Sequence, residues 1–263
     1  GMLLSCTVAM GEDVSGLEIT KDTSGGIEFS KEYPENKWDE ASKTYTNNTV
    51  ISVTVNSADG EAYGLKLSGN LSDLSLINNG SIVGTTNEGY GKGYGIYIDG
   101  SASTGTLKNN GSIAGTANEG YGNGSGIYIA GSGSIGTLTN NGSITGTSSS
   151  IGGSSGSGIY NEGAITELEN NGSIVGTATN RCGYGIYHIS GTITKLANNG
   201  TIAGTMLGTS ADIESSGIYI NSDEIGTLTN TGVIYGKYNT IYKSDRGTIS
   251  NASNYGLLLS GDS

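Results

Sequence analysis

A chain of 263 residues with 47 Gly, one Pro and 34% hydrophobic residues is neither helix-rich nor a collagen, which would place Gly at every third position. Its apolar content is low for a compact globule and sufficient for a narrow solenoid core. The net charge of −12, from 24 acidic against 12 basic residues, excludes a nucleic-acid or anionic-membrane surface, since both need clustered Lys and Arg.

Cys6 and Cys182 are the only cysteines, too few and too far apart for a disulfide framework or a zinc site. No apolar run approaches the roughly 18–20 residues of a transmembrane helix.

The first 46 residues stand apart. They hold the only Phe, Trp and Pro (Phe29, Trp38, Pro34) and 13 of the 36 charged residues. Met2-Leu3-Leu4-Ser5-Cys6-Thr7-Val8-Ala9-Met10-Gly11 is short and apolar with small residues at its end, like the close of a secretory signal. Leu3-Leu4-Ser5-Cys6 also resembles a bacterial lipobox, in which Cys6 would carry the lipid. An apolar strand is the plainer reading of the same residues. Leu17-Glu18-Ile19 and Ile27-Glu28-Phe29 alternate as strands about Gly25-Gly26, which predicts a hairpin or two irregular rungs. A stack of strands leaves unpaired backbone at its ends, so residues 1–46 are read as a signal remnant followed by an N-terminal cap.

Residues 47–263 are repetitive. Near-copies of Leu-x-Asn-Asn-Gly-Ser-Ile-x-Gly-Thr recur with the first Asn at 47, 78, 109, 140, 170, 198, 230 and 251, and spacings near 30 residues are those of repeat architectures. Each unit divides into three strands: Ser-Ile-x-Gly-Thr (81–85, 112–116), Gly-Ile-Tyr-Ile (95–98, 126–129) and Gly-Thr-Leu-x-Asn (105–109, 136–140). The predicted fold is all-β, a single-stranded parallel β-helix or β-solenoid with three short strands per coil and about seven coils. Alternation puts each Ile inside and each Tyr outside.

Leu76, Leu107, Leu138, Leu168, Leu196 and Leu228 form a core column. The first Asn of each pair, at Asn78, Asn109, Asn140, Asn170, Asn198 and Asn230, is expected to stack into an amide ladder. The second, with the Gly after it, is expected to supply positive φ for a tight corner. Coil length varies in one place, the loop before Gly-Ile-Tyr (86–94, 148–157, 178–184, 206–216), so one edge of the rod carries the insertions.

After Asn230 the repeat shortens. Ile249-Ser250-Asn251 reads as a degraded Leu-x-Asn, and Tyr255-Gly256-Leu257-Leu258-Leu259 is like Tyr63-Gly64-Leu65-Lys66-Leu67 without an assigned place in the coil. No polar C-terminal cap is visible, which points to end-to-end self-association or a further C-terminal segment.

Among candidate sites, Tyr97, Tyr128, Tyr160, Tyr187, Tyr219 and Tyr242 make an outward aromatic file, with Tyr90, Tyr94, Tyr121 and Tyr184 in or beside the adjacent loops. Such a file suits a sugar or protein ligand, and cross-strand packing alone would also favour it. Asn79, Asn110, Asn141, Asn171 and Asn199 match the N-glycosylation pattern but sit where the corner wants Asn-Gly. The twin loops 87–91 and 118–122 offer one carboxylate each, too few for calcium. His188, Arg181 and Arg246 are isolated and read as solvated surface. No cofactor or metal is implied.

The repeats resemble the passenger region of bacterial autotransporters, with pertactin-like β-helix units, over roughly residues 47–250. That resemblance implies a right-handed β-helix, export and display on the surface of a Gram-negative bacterium, most often for adhesion. The expected function is therefore a non-enzymatic adhesion or binding protein whose partner is a host glycan or surface protein. The alternatives are a polysaccharide lyase or hydrolase, which would need Glu88, Glu119 and Glu162 to converge, and a structural spacer that displays another domain.

Overall fold

The computed structural model describes residues 13–149, 154–208 and 215–261. The lipobox-like segment with Cys6, and parts of the loops at 148–157 and 206–216, lie outside those residues. The described chain is a parallel β-solenoid with three files of stacked strands. One, the tyrosine face, runs from Val14–Lys21 through Ala62–Leu67, Gly93–Ile98, Gly124–Ile129, Gly156–Asn161 and Gly183–His188. The leucine face stacks Thr44–Asn47, Asn70–Asn78, Ser103–Asn109, Ser134–Asn140, Ala164–Asn170 and Thr192–Asn198. The glycine–threonine face runs from Val50–Val55 to Leu257–Ser260. In the last two coils Ser216–Asn230 and Asn239–Asn254 pass without interruption from the tyrosine face to the leucine face, so these two files form one sheet. No helix among the described residues is long and apolar enough to cross a membrane.

Alternation explains the core. In Ser112–Ala117 and its equivalents the inward positions are Ile, Gly and a small residue. Ile82, Ile113, Ile144, Ile174, Ile202 and Ile234 are fully buried, as are Ile96, Ile127, Ile159, Ile186 and Ile218 across from them, and the predicted leucine column is buried throughout.

The glycines serve close approach more than turning. A Cβ on Gly115 would lie 1.8 Å from the carbonyl oxygen of Ser125 and 2.5 Å from that of Gly93, so the glycine–threonine and tyrosine walls touch backbone to backbone there. This corrects the expected role of the Asn-Asn-Gly corner. Positive φ in the described chain occurs at Lys43, Asp223 and six glycines (Gly25, Gly69, Gly89, Gly120, Gly131, Gly191), and at none of the corner residues. Gly111 is required instead because a Cβ would sit 2.0 Å from the Gly80 carbonyl oxygen of the coil below. The turn is held by the N–H groups of Asn110 and Gly111, which both donate to the Asn78 carbonyl at 2.7 and 3.0 Å.

The predicted amide ladder is present and is buried from Asn47 to Asn230. Asn47, Asn78, Asn109, Asn140, Asn170 and Asn198 each donate Nδ2–H to the Oδ1 of the next coil at 2.7–2.8 Å. Each amide of the stack also reaches a main-chain carbonyl, as Asn109 does to Ser143 at 3.0 Å. The ladder ends at Asn254, which accepts from Asn230 at 2.7 Å. Asn251 instead pairs with Thr227, because Ile249 fills the core position of Ile225 and the leucine place falls to Ala252. Leu257 and Leu258 lie beside Val233 and Ile234 on the glycine–threonine face, unlike 63–67 on the tyrosine face. A second ladder, absent from the sequence reading, lies on the exposed side of the same corner: Asn79, Asn110, Asn141, Asn171 and Asn199 each donate to the preceding coil at 2.8–3.0 Å.

The first 46 residues supply a rung as well as a cap. Val14–Lys21 is already part of the tyrosine face. The hairpin about Gly25-Gly26 pairs Ile27–Phe29 antiparallel to it, and Lys37–Asp39 pairs antiparallel to Thr44–Asn47. Two of the three first-rung strand edges are thereby closed, which removes a template for edge-to-edge association.

Candidate functional site

The tyrosines predicted as one contact face separate into three sets. Tyr97, Tyr128, Tyr160, Tyr187, Tyr219 and Tyr242 form the outer file, each half-buried, with successive ring centroids 4.6–5.5 Å apart. Tyr94 and Tyr184 are not loop residues. They begin their strands, are buried to 2% and 5% exposure, and pack beside the file, Tyr94 on Tyr128 at 5.0 Å and Tyr184 on Tyr187 at 4.3 Å. Tyr90 and Tyr121 stack on each other at 5.1 Å in the twin loops, both more than half exposed.

Burial raises the pKa of Tyr97, Tyr128, Tyr160 and Tyr187, and Glu162 raises Tyr128 and Tyr160 further. Like any tyrosine these hydroxyls are protonated at neutral pH; those of Tyr128 and Tyr160 face the Glu162 carboxylate, which leaves Tyr97 and Tyr187 as donors for a ligand.

A second column is less regular. In parallel register, Tyr63 and Tyr94 are followed up the stack by Ser125, Ser157, Tyr184 and Ser216, so two rings are missing between Tyr94 and Tyr184 and another after it. Beside the gap lies a notch of about 290 Å³ lined by Asn123, Ser155, Tyr160, Arg181, Cys182, Tyr184 and Tyr187. Ring orientation changes there too: Tyr97, Tyr128 and Tyr160 stack nearly parallel, whereas Tyr187 meets Tyr160 at 84°. Arg181 shares the lining of this notch with Tyr160, Tyr184 and Tyr187, and its charge opposes the upward shift of the Tyr187 hydroxyl. Ser125 and Ser157 are each 1% exposed, and their hydroxyls have no hydrogen-bond partner. Sequence reading took Arg181 for isolated solvated surface and passed over Ser125 and Ser157. The signal was the Tyr-to-Ser change at the position two before Gly-Ile-Tyr's Ile.

No protein-family model, curated protein or solved structure matches this chain.

The other sequence candidates disperse. Glu88 and Glu119 sit in loops before the tyrosine-face strands and Glu162 follows one, so the carboxylates named for a lyase or hydrolase flank opposite ends of that face. Glu162 accepts from the Gly131 N–H at 3.2 Å. Among the described residues no group of His, Cys, Asp and Glu could hold a metal ion. Cys182 is a free, half-buried thiol.

His188, read as solvated surface, is fully buried. It occupies the column of Ile98, Ile129, Asn161 and Ile220, where alternation turns the side chain inward. Asn161 lies 3.0 Å from its Nδ1, and the Asn161 amide is oriented by the N–H and carbonyl of Gly163. The amide thus donates to Nδ1, and the imidazole carries its proton on Nε2, which has no partner. Burial pushes its pKa below the ordinary histidine value. This is a neutral interior histidine.

Proposed function

We propose that this chain is a non-enzymatic, exported surface protein of the autotransporter-passenger kind, and that it binds a carbohydrate or surface protein through its tyrosine face. The observation that carries this reading is the tyrosine face: a continuous outer file of rings beside a second column that lacks rings at Ser125 and Ser157, with a notch next to that gap lined in part by Arg181. Aromatic faces stack on the C–H faces of sugars and anchor protein contacts. A guanidinium beside them recognises a carboxylate through charge-assisted, bidentate hydrogen bonds. The ligand best suited to both is a glycan with an acidic residue.

A glycan-array assay on the folded chain, with the unfolded chain as control, tests this. Saturable, fold-dependent binding to acidic glycans is expected, with substitution of Tyr97, Tyr128, Tyr160, Tyr187 and Tyr219 by Ser abolishing it and Arg181→Ala weakening it for acidic members first. A blank array together with no binding to intact host cells would overturn the adhesion reading and leave a spacer role. Surface proteolysis of intact source cells tests export separately.

A further inference from the structure

A cavity lies in the N-terminal cap. It has a volume of about 520 Å³ and is lined by Phe29, Lys31, Glu32, Tyr33, Pro34, Asn36, Trp38 and Tyr45. Phe29 anchors an aromatic cluster, with Trp38 edge-on at 5.2 Å and Tyr45 stacked at 5.0 Å. These residues reach the same place because the two antiparallel cap strands cross the ends of two different files.

The walls are held from behind. Tyr33 donates its hydroxyl to the Gly16 carbonyl at 2.9 Å, and Trp38 donates Nε1–H to Glu40 at 2.9 Å. Asn36 donates to the Tyr45 hydroxyl at 2.8 Å while its Oδ1 accepts from the Asn48 main chain. The Tyr45 oxygen is therefore an acceptor to Asn36, and its own proton remains available to a ligand. Tyr45 is only 5% exposed.

We infer that this cap cavity is a second binding site, independent of the tyrosine face, for a neutral pyranose ring. Concave aromatic walls with a few fixed polar groups are the usual make-up of a small-ligand site. Flat rings from Phe29, Trp38 and Tyr33 suit the C–H face of a sugar, and the Tyr45 hydroxyl supplies a donor. Lys31 and Glu32 at the rim cancel in charge and offer one donor group and one acceptor group to ring hydroxyls. An anionic ligand gains nothing from that rim, where the charges of Lys31 and Glu32 offset each other. A purely aliphatic ligand would leave Tyr45's proton unpaired.

Trp38 is the only tryptophan in the chain, so its fluorescence reports on this cavity alone. Titration of the full chain with neutral methyl hexopyranosides and N-acetylhexosamines should give a saturable change in Trp38 emission for at least one sugar. Tyr45→Phe keeps the ring stack and removes the hydroxyl, and it should weaken that sugar about three- to tenfold with unchanged circular dichroism. Arg181→Ala should leave the titration unmoved, which separates this site from the tyrosine face. No response to any sugar, or a response only to a proline-rich peptide, would overturn the inference. So would equal sugar affinity in wild type and a folded Tyr45→Phe variant.

Discussion

The regular coils and the places where their repeat fails do different work. In the regular coils the Ile82–Ile234 and Leu76–Leu228 columns and the buried Asn ladder each meet their equivalents above and below, and glycines bring the walls into backbone contact. The notch opens where Tyr94 and Tyr184 flank two serines, and the larger cavity lies in the cap, where antiparallel strands follow no repeat. Perfect repetition supplies stability and leaves no concavity. The recognition surface is written in the departures.

That contrast breaks most sharply at a glycine of the regular stack. Gly115→Ala should destabilise the chain by about 3 kcal/mol or more in urea unfolding, since overpacking against main-chain atoms cannot relax as a side chain would. A cost below about 1 kcal/mol would mean that the two walls are not in contact.

The two asparagine ladders provide the next test. Asn109→Ala leaves one Nδ2–H of Asn78 and the Oδ1 of Asn140 buried without a ladder partner, an expected loss of about 2–3 kcal/mol. Asn110→Ala, one residue on, cuts an exposed ladder of nearly the same geometry and should stay within about 0.5 kcal/mol. Equal effects would show that burial does not set their worth.

Ser157→Tyr mends the interruption in the second tyrosine column. Enlarging this buried side chain should cost about 1–3 kcal/mol, while binding at the adjacent notch falls roughly tenfold or more. Retained binding would place the contact elsewhere on the face.

The smallest effect belongs to His188. Because burial holds its pKa below the ordinary value of 6.5, the unfolded chain binds a proton that the folded chain does not between those two values. Stability is therefore full above about pH 6.5 and falls as pH drops through that window. His188→Ile, which restores the column, should shrink the loss of melting temperature between about pH 7.5 and 5. An unchanged pH profile would show that this histidine is hydrated.

Much of this was legible in the sequence because a repeat gives many readings of one position. The Ile and Leu columns and the buried amide ladder each rest on six or more coils, and alternation alone turns Tyr outward. Legibility faded where copies ran out. The last coil was misregistered by three residues because Ile249-Ser250-Asn251 imitates Leu-x-Asn when the corner turn is lost. The sequence also placed His188 in its Gly-Ile-Tyr-x strand, yet residue type was weighed above column position. The cap cavity depends on strands far from their partners in the chain, and only the concentration of Phe, Trp and Pro in residues 1–46 hinted at it.

The paired ladders have one further consequence. In the buried ladder every amide donates toward the C-terminal end, whereas in the exposed ladder every amide donates toward the N-terminal end. Their bond dipoles oppose each other along the same corner. An α-helix accumulates a macrodipole as its aligned peptide units add; here each added coil contributes two amide dipoles of opposite sense. The two side-chain ladders therefore lengthen together without adding a net amide dipole of their own along the stack.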